Sequence, residues 1–367
     1  MIKFFKKYFC LISFVFCSTE TNLDTLLDNA ISDLYNYNFI SSKSKLDSIN
    51  KIDPYNPISP FLTVIVDWLY NQTEFGYDES YNAINVGSKK NIRHYKNLLK
   101  EYPQNAEYYL YLGSTYGMRA RVSLAHKDWL GVMSSSYRGY RYLRKSNKID
   151  PLLYDYYLTK GLIEYFLCIS SIPIQMGGKM MGFEADCDVG KGNLELALSS
   201  SEFAWIESAN ILTYIYLYLE RDYHNALRTI TPLVEQFPGH PFFAFLKAET
   251  LAKLNRWEEL ELMWPTLEQF TRKGNYLQKN ECELKLKYIE SIHLFNSNKN
   301  KEVIEKTDWI INNYHMEFDW LLGLTYMIRG KTYDKLGMMD LAKNQYKMII
   351  KLNNYFPEVE EAKKLIK

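Results

Sequence analysis

Chemistry in this 367-residue chain would have to come from six histidines, five cysteines, one glycine-rich stretch or convergent acidic pairs. The histidines are His94, His126, His224, His240, His293 and His315. No two stand at i,i+4, and no glutamate is placed as in a zinc-protease helix. Gly177-Gly178-Lys179-Met180 lacks the first glycine and the terminal hydroxyl of a phosphate loop, and no Gly-x-Ser-x-Gly elbow occurs. Glu258-Glu259 reads as a solvated pair on the outer side of a helix. No catalytic, cofactor-binding or metal-binding residue is expected, and the chain reads as non-enzymatic. Beyond residue 19 only Cys168, Cys187 and Cys282 remain, an odd number with no close pair. Cys168 lies in the apolar run Ile163 to Ile169, where a buried thiol is the first expectation. A Cys168–Cys187 bridge is the alternative if the compartment is oxidising.

Two stretches point to binding. The segment 172–192 holds five of the chain's 17 glycines within 16 positions, together with Ile174, Met176, Met180, Met181 and Phe183. It reads either as a loop folded back over apolar helices or as an adaptable methionine-rich gripping surface. Residues 119–148 carry eight basic residues against a single Asp128. Arg138, Arg141, Lys145 and Lys148 are spaced three, four and three apart, on one face of a helix. That stripe is either a solvated face or a dock for an acidic partner or anionic headgroups. Over the whole chain 44 basic residues balance 43 acidic ones, which disfavours a nucleic-acid partner.

The elements that must carry these residues are helical. Apolar positions recur at intervals of three and four nearly everywhere, and sustained alternation is almost absent. Asp53-Pro54, Tyr102-Pro103, Asp150-Pro151 and Phe237-Pro238 each close one helix and open another. The last interval divides near Ala204, leaving a unit of 34 residues. Within Gly330 to Ile350, a small residue at Gly330, Tyr333, Gly337 at a turn, Ala342, Tyr346 and Ile349 follow in order. Arg221-Asp222-Tyr223 through Pro238, and Leu251 through Trp264, repeat the frame. This pattern resembles the tetratricopeptide repeat superfamily, with several units carrying longer helices. The resemblance implies an all-α solenoid of stacked antiparallel hairpins over residues 20–367. The hairpins fall at about 23–52, 57–102, 106–149, 153–200, 204–237, 241–272, 276–314 and 320–354, with a capping helix from Pro357. The 57 tyrosines, phenylalanines and tryptophans then pack between helices, Tyr108, Tyr109, Tyr111 and Tyr116 among them.

The resemblance also implies that the first helix of each unit lines a concave groove. It would present Tyr165 and Phe166, Ile215 and Tyr218, Phe242, Phe245 and Glu249, then Met327 and Lys331. Such a groove suits an apolar or helical segment of another protein. The partner-binding candidates are therefore Tyr165, Ile215, Tyr218, Phe242 and Phe245. Met180, Met181 and Phe183 of the loop and Arg138, Arg141 and Lys145 of the stripe join them. The alternative is a carrier of an apolar ligand or lipid, with 172–192 as its lid. Lys3, Lys6 and Lys7 precede an apolar run from Tyr8 to Cys17, so residues 1–19 read as an export signal. A periplasmic or outer-envelope location follows, with a lipid or retained anchor as the lesser reading.

Overall fold

The computed structural model describes residues 23–352 and 356–366. The expected export signal lies outside the described residues. The chain divides between Asp150 and Pro151 into two compact units. The first holds α1 (residues 23–35), α2 (Phe39–Ile52), α3 (Ser59–Glu74), α4 (Tyr77–Glu101), α5 (Ala106–Ala125) and α6 (Trp129–Ile149). The second holds α7 (Tyr156–Cys168), α8 (Ile172–Met180), α9 (Cys187–Ser200), α10 (Trp205–Tyr214), α11 (Tyr223–Gln236) and α12 (Pro241–Lys253). It continues through α13 (Trp257–Arg272), α14 (Tyr276–Asn296), α15 (Asn300–Asn312), α16 (Trp320–Lys335), α17 (Met339–Leu352) and α18 (Pro357–Ile366). No strand occurs among the described residues. In each unit the helices stack as antiparallel hairpins, α5 on α6 and α7 on α9 being the most extensively packed pairs.

One turn is built repeatedly. Tyr37, Lys127, Asn255, Asn298 and Gly337 each adopt a left-handed backbone between the two helices of a hairpin. Each is followed by a residue whose N–H returns to a carbonyl five positions earlier: Asn38 to Asp33, Asp128 to Ser123, Arg256 to Leu251, Lys299 to Leu294 and Met338 to Tyr333. This Schellman closure satisfies the last carbonyls of the first helix and reverses the chain. The next helix often starts on a side-chain cap: Asp128 accepts from the Gly131 N–H at 3.0 Å, Asp222 from Asn225 at 3.1 Å and Asn105 from Tyr108 at 2.9 Å.

Small residues let the paired helices touch. A Cβ added at Gly113 would lie 2.9 Å from the Gly139 carbonyl oxygen, and one at Gly139 equally close to that of Gly113. In the second unit a Cβ at Gly161 would lie 2.6 Å from the Gly190 oxygen, and one at Gly190 2.5 Å from the Tyr165 nitrogen. Only glycine permits backbones so close. The tyrosines fill the remaining space and spend their hydroxyls on loop carbonyls. Tyr95 Oη donates to the Pro57 oxygen and Tyr108 Oη to that of Tyr55, both at 2.8 Å. Tyr108, Tyr109, Tyr111 and Tyr116 are all buried.

Segment 172–192 is not a loop over most of its length. Ile172–Met180 forms helix α8, and a disulfide joins Cys168 at the end of α7 to Cys187 at the start of α9, their Cα atoms 5.3 Å apart. Two of the five glycines serve packing, Gly178 being buried where a Cβ would strike Leu167 and Gly190 being the contact on Tyr165, while Gly182 takes a left-handed φ of 89° after α8. Cys282 is the buried free thiol.

Candidate partner-binding surfaces

In the second unit the inner helices are α10, α12, α14 and α16, and α10 runs on as a π-helical turn over Ile215–Glu220. Ile215, Tyr218 and Phe245 are buried, so these three anchors are turned into packed interior and not toward a partner. Tyr165 is buried as well, its hydroxyl 3.4 Å from Glu220 Oε1. Phe242 is half-buried beneath Lys285, whose Nζ lies 5.1 Å from its ring centre. The expected groove is therefore closed in this unit by its own side chains. Tyr218 reaches Trp320 of α16 at 4.5 Å between ring centroids, and Lys285 of α14 lies 4.8 Å above the same Trp320 ring.

This closure buries charge. Glu249, Glu281 and Lys285 are each 5% exposed or less. Tyr218 Oη donates to Glu249 Oε2 at 2.8 Å, while Glu249 Oε1 has no hydrogen-bond partner. Burial pushes the Glu249 carboxyl above the usual carboxylate range and holds the Lys285 ammonium below the usual lysine range. Such shifts accompany many active sites, but structural ion networks produce them too. Here the groups are packed beneath aromatic rings. Glu249 was legible as an inner position. Lys285, Glu281 and Trp320 were not, although Glu281 and Lys285 stand at i,i+4, one turn apart on one face of α14.

Beside the network lies a cavity of about 270 Å³, lined among others by Arg221, Lys253, Tyr288, Lys331, Glu358 and Glu361. The C-terminal helix α18 forms one wall. Arg221 Nη2 donates to Glu358 and Glu361 at 2.9 Å each, across 137 and 140 residues of sequence, and Lys331 pairs with Glu361 at 2.6 Å. Three cations and two carboxylates in the wall suit a small polar molecule or water and do not suit the acyl chain that the carrier reading requires.

One exposed apolar surface of this unit is on α8, apart from the group Leu336, Met338, Met339 and Leu341 at the turn between α16 and α17. Ile172, Met176 and Met180 stand four residues apart on one face, 72%, 61% and 90% exposed. The opposite side is held down. Gly178 sits on Leu167, Phe183 is buried with its N–H on the Gly178 carbonyl, and Gln175 Nε2 donates to the carbonyls of Cys168 and Ser170 at 3.0 and 2.9 Å. Met180 is thus outward and Met181 half-buried, while Phe183 is a seat for the helix and no part of its outer surface. No group of three or more metal-ligating side chains assembles among the described residues.

In the first unit, Arg138, Arg141 and Lys145 are exposed on α6, as their spacing requires. Two of them place their charged heads over tyrosines: the Arg141 guanidinium is 5.9 Å from the ring centre of Tyr137 and Lys145 Nζ 4.3 Å from that of Tyr109.

The fold is a tetratricopeptide-like stack of helix hairpins. Among solved structures the chain is similar to a thermophilic repeat protein of this type from Thermus thermophilus, at 14% identity and a TM-score of 0.37, over 62% of this chain and 98% of that one. It is also similar to yeast Tom70, at 12% identity and a TM-score of 0.38, over 94% of this chain and 73% of that one. A tetratricopeptide repeat protein from Parabacteroides merdae matches 94% of this chain and 98% of its own, at 10% identity and a TM-score of 0.26. Both the identities and the scores are low, and the fold rests on the hairpin geometry itself. No family model and no curated protein matches the sequence.

Proposed function

We propose that this chain is a non-enzymatic protein-binding scaffold that works outside the cytoplasm and holds its partner on the outer face of α8. The observation that carries this reading is the row Ile172, Met176 and Met180, three successive turns of apolar side chain left in solvent on a helix held from its other side by Gly178 and Gln175. Exposed apolar rows of this kind mark interaction sites, and methionine adapts its flexible, polarisable side chain to varied partner surfaces. The Cys168–Cys187 bridge fixes the two segments that flank α8, so the row is presented in one place before a partner arrives. An apolar or amphipathic helical segment is the partner chemistry that fits.

Two features support an exported location: the basic start with its short apolar run at residues 3–17, and a disulfide, which persists in oxidising compartments. The test is a variant carrying Ile172→Ser, Met176→Ser and Met180→Ser. Its melting temperature should match wild type, because the replaced side chains touch mainly water. Co-purification of its partner from native envelope fractions should fall at least tenfold, the effect of losing one or two interface anchors. Full retention of the partner would refute the reading.

A further inference from the structure

The turn between α5 and α6 carries a second exposed apolar surface, and this one is joined to charge. Trp129, Leu130, Met133 and Tyr137 lie in the first half of α6 and are exposed, Leu130 at 80%. Leu124, near the end of α5, is exposed beside the same turn. Along the same outward face, Arg138, Arg141, Arg144, Lys145 and Lys148 follow in the second half of α6, all exposed. No acidic side chain among the described residues forms an ion pair with any of these five. At 1.5 Å per residue the face from Leu130 to Lys148 extends about 27 Å, long enough for separate apolar and basic ends.

We infer that α6 docks this face on an anionic lipid surface, with Trp129, Leu130 and Met133 entering the boundary between headgroups and acyl chains and the basic half lying on the headgroups. Charge complementarity and side-chain type select this occupant. Tryptophan and tyrosine favour the interfacial zone, leucine and methionine the apolar side of it, and unpaired lysines and arginines gain attraction from anionic headgroups. Buried interfaces between proteins are depleted in lysine and carry their charges at the rim, whereas here five cations occupy one continuous half of the face. No helix among the described residues is long and apolar enough to cross a membrane, so the contact is a surface one. The inference is independent of the α8 reading, since it concerns another unit and another ligand.

The test uses the full chain with an environment-sensitive fluorescent amino acid in place of Leu130, a readout local to the turn and independent of the apolar run near the N-terminus. Vesicles containing phosphatidylglycerol should shift its emission to the blue, and vesicles of phosphatidylcholine alone should do so far more weakly. In about 1 M salt, where the screening length is about 3 Å, the response should largely disappear. Arg138→Glu, Arg141→Glu and Lys145→Glu together should raise the lipid concentration at half-response by about a hundredfold or more, given the attraction of each basic residue. The glutamine triple variant, a milder change should the first fold poorly, should shift it in the same direction. A label at Glu305 of α15 should not respond. An unchanged emission at position 130, or an equal response with neutral vesicles or the charge-reversed chain, would overturn the inference. A response to a polyglutamate chain but not to vesicles would overturn it too, assigning the face to an acidic protein.

Discussion

The rings of Tyr218 and Trp320 lie 4.5 Å apart between centroids, although α10 and α16 are three hairpins apart in the chain. That contact, with Lys285 above Trp320 and Glu249 on the Tyr218 hydroxyl, turns the inner side of the second unit from a binding groove into a core. Trp320→Ala should therefore cost about 3 kcal/mol of stability, in the range for a large aromatic removed from packing. It should also let water reach Lys285 and bring its depressed pKa back toward the ordinary value. Amine-modification footprinting read by mass spectrometry checks the second effect: Lys285 should be protected in wild type and modified in the variant.

His240 caps α12, its ring accepting the Phe243 N–H at 3.2 Å and stacking on the Phe243 ring at 3.6 Å. Burial lowers its pKa from 6.5 to about 3. Because the folded value lies below the unfolded one, the unfolded chain takes up the proton first. The ring's contribution is complete above about pH 6.5 and is lost as pH falls toward 3, at up to about 1.4 kcal/mol per unit. By pH 5 the loss should reach about 2 kcal/mol. His240→Asn keeps a capping side chain and removes the proton site, so denaturant titrations of the two proteins should converge as the pH drops from 7 to 5.

The repeated turn makes a backbone prediction with few side-chain complications. Gly337 has φ +72°, and a Cβ there would meet nothing within 4 Å. Gly337→Ala should cost about 1 kcal/mol through the left-handed backbone alone. Lys127→Gly, at the equivalent turn with φ 56°, should be neutral or slightly stabilising. A loss above about 3 kcal/mol for Gly337→Ala would mean that the turn is packed in a way the structure does not show.

Replacing Cys168 and Cys187 together with serine removes a crosslink between residues 19 apart and should cost about 3 kcal/mol. The loss should be local in its dynamics. Amide exchange should quicken in α8, which is tied down by few other contacts, and should stay slow in α12, α14 and α16, whose buried residues are many.

The helix pairs were legible because proline and small polar residues punctuate them chemically and because Gly113, Gly161 and Gly330 mark close contacts that nothing larger permits. The inner face was not. A helix such as α12 shows apolar residues nearly all round, so spacing places Phe242 and Phe245 on one side but not the neighbour that covers them. That depends on how tightly successive hairpins curl, which brings Trp320 over Lys285 and α18 onto Arg221 from 137 residues away. Two glycines of 172–192 misled for a related reason. Gly178 and Gly190 are there for helix contact and not for irregular backbone, and the Cys168–Cys187 pair that anchors the segment has no signature in spacing alone. The stripe on α6 was readable because exposed charge obeys helical period directly.

The most direct test of the scaffold reading is photo-crosslinking in the protein's own cells. A photoreactive amino acid is placed at Met176, at Met180 and, as an exposed control on α15, at Glu305. The account predicts that positions 176 and 180 give the same discrete protein adduct, identifiable by mass spectrometry, while position 305 gives none. Absence of any adduct at 176 and 180, or the same adducts at 305, would contradict the claim that α8 holds a partner.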